Sequence, residues 1–151
     1  MLVLAPTSAS EIITPSHVYS EALALNKFLK SHVTEKGGNI EGVNLQDAQP
    51  LHVYSMTTAL NEKVAILLTD EQKGLFTRPE FPTTTIEPRH VFKLVKAVQK
   101  NLLIYAPNAS FKKIEVQGRR TSDVLRIIVS SNRLMDKLIE DKLTPQYPFQ
   151  L

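Results

Sequence analysis

Three histidines and one aspartate hold the same place in a recurring hexapeptide, and that spacing is the chain's best opening for chemistry. His17 lies in Thr14-Pro15-Ser16-His17-Val18-Tyr19, His52 in Gln49-Pro50-Leu51-His52-Val53-Tyr54, and His90 in Glu87-Pro88-Arg89-His90-Val91-Phe92. A weaker fourth copy, Arg120-Thr121-Ser122-Asp123-Val124-Leu125, puts Asp123 there. Three imidazoles and a carboxylate can ligate a transition metal such as zinc. Sharing one ion would require all four helix starts to meet at one end. An up-down arrangement would place two at each end and give pairs rather than a quartet. His32 lies about 22 Å beyond His17 along a helix and cannot join the set.

The position also has a plainer use. It is the third residue of a helix, where a polar side chain reaches back to the N-cap N–H, and a neutral imidazole can do this. That capping role is preferred, so no metal is favoured and no cofactor is expected.

The recurrence runs past the hexapeptide. Six residues after each Val stands a small residue (Ala24, Ala59, Ala97, Ser130), and eight after it a carboxamide (Asn26, Asn61, Gln99, Asn132). The carboxamides fall about 80° from the helix's apolar line, with Tyr19, Tyr54 and Phe92 on the same side. This flank could line a ligand groove. Hydrogen bonds between helices, fixing the order in which they pack, are the preferred role.

Each hexapeptide reads as a helix start. Thr14 is a good N-cap, Pro15 sits where its missing N–H costs nothing, and Ile13 can staple to Val18. The staple recurs as Ala48 with Val53 and Ile86 with Val91. In the fourth copy Thr121 is expected to cap a helix starting at Ser122. Apolar residues then follow a 3.6-residue period at 0, +4, +7 and +11 from each Val. The expected helices span about 15–35, 50–69, 88–106 and 122–142. Asp70–Phe76 adds a further turn, and 143–151 forms an irregular tail.

The connectors, roughly 36–48, 70–86 and 107–120, exceed the 2–8 residues usual between bundle helices. They free neighbouring helices from running antiparallel. Extended pieces are expected at Ile40–Leu45, Phe111–Val116 and the Pro-rich Arg78–Thr85. The chain therefore reads as one all-α domain over 1–151. It is a four-helix bundle of four degenerate single-helix repeats, starting near 14, 49, 87 and 120, with long extended connectors.

Charge divides unevenly. Residues 1–75 carry 5 Lys/Arg against 8 Asp/Glu, and residues 76–151 carry 13 against 7. Lys93, Lys96 and Lys100 share one outward stripe of the third long helix, and Lys112, Lys113, Arg119 and Arg120 follow in a connector. Phosphate backbones attract such surfaces. The net charge is only +3 and no nucleic-acid motif is present, so a solvated face is preferred.

There is no Cys, which excludes disulfides, thiolate metal sites and a Cys nucleophile. No apolar run reaches the ~18 residues of a membrane span. Met1–Ser10 has the flavour of a signal-peptide end without its basic start; the cytoplasm is the default, with export expected if those residues are a leader's remnant. Phosphate-loop, nucleophile-elbow and metalloprotease motifs are absent, so no enzyme is expected. The function expected is a small interaction or ligand-sensing module, partnered by another protein or a small ligand. Binding of an anionic polymer or nucleic acid through the basic C-terminal half is the alternative, a metal site the weakest reading, and self-association is left open.

Overall fold

A computed structural model describes residues 12–33 and 48–143. Among the described residues five helices pack together: α1 (Pro15–His32), α2 (Pro50–Leu67), the single turn α3 (Asp70–Lys73), α4 (Pro88–Tyr105) and α5 (Thr121–Leu143). No strand occurs among the described residues. The extended piece expected at 40–45 lies outside them, while 111–116 is non-helical and joins no sheet.

The helix starts show why these residues nucleate helices. The backbone N–H groups of Thr14, Gln49 and Glu87 donate to Nδ1 of His17, His52 and His90 at 2.9, 3.0 and 2.9 Å. Each bond satisfies a group that helix initiation would otherwise strand. Pro occupies the first turn in all three. Ile86 is buried, and Ile13 and Ala48 pack against the core, at the position before each cap. The fourth start corrects the expectation by one residue. α5 begins at Thr121, and the N–H of Arg120 donates to Oδ2 of Asp123 at 2.8 Å. Arg120, not Thr121, therefore holds the cap position, which puts Asp123 in the role the three histidines hold.

The four long helices share one core. Val18, Val53, Val91 and Val124 are each at most 2% exposed, and the residues at +4, +7 and +11 from each are fully or almost fully buried. Buried Thr57 and Ser131 satisfy their hydroxyls on the carbonyls of Val53 and Ile127, within their own helices. α1 packs against α4 and α5, and α2 packs against the same two, so the contacts close a ring in the order α1, α5, α2, α4.

All four starts lie at one end. Pro15, Pro50, Pro88, Thr121 and the four Val residues surround a single small void. The helices therefore run parallel, unlike the up-down arrangement weighed from the sequence. Connector length makes this feasible. An 18-residue helix is about 27 Å long, and about eight extended residues span that distance. The segments 68–87 and 106–120 both exceed it. The first climbs the α2–α4 side, where Arg78 bonds Glu62 and Phe81 meets Tyr54. The second climbs α1: Phe111 packs against Phe28, Ser20 Oγ donates to the Ile114 carbonyl, and the Arg119 N–H donates to Ser16 Oγ.

Candidate functional site

Every carboxamide of the recurring +8 position is engaged between helices, one at each contact of the ring. Asn26 on α1 donates to the hydroxyls of Ser130 and Ser131 on α5 at 3.1 and 3.0 Å. Asn132 on α5 donates to the Met56 carbonyl on α2 at 3.0 Å. On α2, the Asn61 Oδ1 accepts from Asn101 of α4 at 2.8 Å. Gln99 on α4 donates to the backbone carbonyl and the carboxylate of Glu21 on α1, at 3.0 and 2.9 Å. All four side chains are buried.

Two of these contacts share one geometry, in which the +8 amide reaches the carbonyl at +3 of the next helix. The Asn26 contact is indirect, since Ser131 itself passes a hydrogen bond to the +3 carbonyl of Ile127. The α2–α4 contact departs most. There Asn101 also holds the connector, accepting from the Thr77 N–H at 3.1 Å and donating to the Thr77 carbonyl at 2.8 Å. Asn132 Oδ1 is buried with no hydrogen-bond partner among the described residues.

Two aromatic members of the flank, Tyr19 and Tyr54, are met from the connectors. The Arg119 guanidinium lies 4.5 Å over the ring of Tyr19. Phe81 meets Tyr54 edge-on at 5.3 Å. Burial pushes the Tyr54 phenol above its ordinary value. Phe92 is half-buried against the core.

His17, His52, His90 and Asp123 stand at the same end, but each is turned onto its own N-cap. Because Nδ1 accepts there, each neutral ring carries its proton on Nε2. No group of three or more His, Cys, Asp or Glu able to hold a metal ion occurs among the described residues. The void between the starts is about 10 Å³ and wholly apolar, at the limit of room for one water.

The basic residues divide between two surfaces. Lys93, Lys96 and Lys100 lie on α4, where Lys96 sits 3.6 Å from the buried Glu21 carboxylate. Lys112, Lys113 and Arg119 lie over α1, and Lys112 and Lys113 line two different grooves. Arg120 is spent on capping α5 through its backbone.

Three residues the sequence reading did not single out shape this chemistry. Glu21 and Asn101 are buried polar partners of the recurring amides. Phe81 stands 64% exposed between Pro79 and Pro82, and the Pro-x-Phe-Pro spacing was its available signal. Comparison with known proteins gives no match: no family model, curated protein or solved structure is significantly similar to the chain.

Proposed function

We propose that the chain is a non-enzymatic interaction module, built as a parallel four-helix bundle from four degenerate copies of one helix-and-connector unit. Supporting the fourfold reading are the four back-bonded starts and the four carboxamide contacts around the ring.

The observation that carries the interaction reading is the presentation of Phe81. Its segment is anchored at the base by the Thr77–Asn101 bonds and by Arg78, which grips Glu62 through two bonds of 2.7 and 2.9 Å. Pro79 and Pro82 fix the backbone on either side. The Phe81 ring meets Tyr54 along one edge yet stays 64% exposed, so most of its surface is left in water. It suits recognition, because its ordering cost is met before a partner arrives. Beside it lies an open groove of about 360 Å³, lined among others by Tyr54, Arg89, His90 and Lys93.

The test is affinity capture from extracts of the source cells, with the wild type and Phe81→Ala compared under identical conditions. A partner retained by the wild type and lost by the variant, with the helical circular dichroism of the two unchanged, is the expected result. A partner set indifferent to the substitution contradicts it.

The polyanion reading keeps one supporting observation: α4 carries Arg89, Lys93, Lys96 and Lys100 and no acid. It is the lesser reading because Glu87 and Glu21 already engage Arg89 and Lys96. DNA binding that falls steeply with salt and is lost on reversing Lys93 and Lys100 would raise it above the first.

A further inference from the structure

We infer that the groove between α1 and the 106–120 segment is a binding site for a small aromatic organic anion, a carboxylate or sulfonate on a flat apolar body. The groove holds about 550 Å³, within the range of small-molecule sites. Its floor is apolar. Phe28, 8% exposed, lines it together with Ala24 and Ala109, whose small side chains leave the room that a flat ring would fill. The rings of His32 and Phe111 lie tilted against Phe28, with centroids 4.2 and 5.3 Å away, so an entering ring meets an aromatic cluster already in place. Offset or edge contacts with such a cluster add to the burial of the ligand's own surface.

The rim is cationic. Lys27 reaches it from α1 and Lys112 from the connector. Both are exposed, and neither has an ion pair among the described residues. No carboxylate lines the groove. This separates it from the groove beside Phe81, where Glu80 stands among the cations. The Ser110 hydroxyl is the remaining rim donor. Ser31 is already committed, donating to the Phe28 carbonyl at 2.6 Å. Two unpaired ammonium groups on opposite walls above an aromatic floor select a ligand with one anionic head and one flat apolar body. A bare anion would leave the floor wet, and a neutral aromatic would gain nothing from the field of the two lysines.

The site is tested with three probes sharing one ring system: 2-naphthoate, 2-naphthalenemethanol and 2-naphthylmethylamine. Each is titrated into the full chain and followed by calorimetry and by amide chemical shifts. Saturable 2-naphthoate binding is expected, with shifts centred on Phe28, Ser31 and Ser110. The alcohol and the amine should bind at least about tenfold more weakly, the equivalent of one lost head-group contact. Lys27→Glu with Lys112→Glu should weaken 2-naphthoate by at least about tenfold, at unchanged thermal unfolding because both side chains are exposed. Ala109→Leu, which fills the groove without altering charge, should also abolish binding. The proposal is overturned by equal binding of the three probes, by no saturable binding up to millimolar concentration, or by binding that neither variant affects. Displacement of 2-naphthoate by inorganic sulfate at equal concentration also overturns it, since the apolar floor would then contribute nothing.

Discussion

Glu21 is buried between α1 and α4, where an isolated carboxylate would be costly. Gln99 and Lys96 supply its partners, at 2.9 and 3.6 Å. Gln99→Ala removes the amide and leaves the carboxylate to Lys96 alone. The expected loss is about 2–4 kcal/mol in urea unfolding, as for a buried charge stripped of a partner. A loss below about 0.5 kcal/mol, the usual size of a surface substitution, would mean the Glu21–Gln99 contact is not made. Tyr54 gives the pH prediction. Burial holds its phenol neutral in the folded chain beyond the point, near pH 10, at which the unfolded chain ionises. The unfolded state then binds fewer protons, so stability falls as pH rises above about 10. Tyr54→Phe should flatten that fall in the urea midpoint, and an unchanged alkaline slope would contradict it. The capping histidines were legible because their partners lie three residues away, as were the recurring carboxamides as a class. Glu21 and Asn101 were not, since their partners lie 78 and 40 residues distant and nothing local marks them.

Helix starts were legible to within a residue because Pro, cap and staple act inside one turn. The exception is α5. It lacks Pro, and Thr121 resembles a cap more than Arg120 does, yet Asp123 bonds the backbone N–H of Arg120, for which the cap's own side chain is irrelevant. The apolar period also located the centre of each buried face. It missed Phe28, Leu94, Leu125 and Leu134, all buried. Each long helix touches two neighbours in the ring, so its covered arc is wider than a single stripe. At this scale the repeat makes its own prediction. Val53→Ala and Val91→Ala each truncate the layer where the four starts meet, and each should cost about 1–3 kcal/mol. Guanidinium unfolding of the two variants checks it, and negligible loss at both would place the core elsewhere.

Helix direction belongs to the whole molecule and was not legible in the sequence. Connectors of this length permit parallel and antiparallel neighbours alike. What selects the parallel arrangement is the set of long-range contacts: the Val layer at one end, the amides about two turns further, and Lys63 on α2 paired with Asp136 on α5 at 2.9 Å beyond them. The arrangement places four helix N-termini together, each worth about half a positive charge. The first turns of α1, α2 and α4 contain no acid to offset them. Since no cysteine is present, paired spin labels can be introduced cleanly. The decisive measurement is electron–electron distance in two doubly labelled chains, Leu51→Cys with Arg126→Cys and Leu51→Cys with Asp141→Cys. Parallel α2 and α5 require the first distance to be shorter by roughly 15–20 Å, from the rise per residue and the spacing of packed helices. The reverse order, with Leu51 closer to Asp141, would mean antiparallel helices and would contradict the ring of carboxamides and the shared end of the four starts.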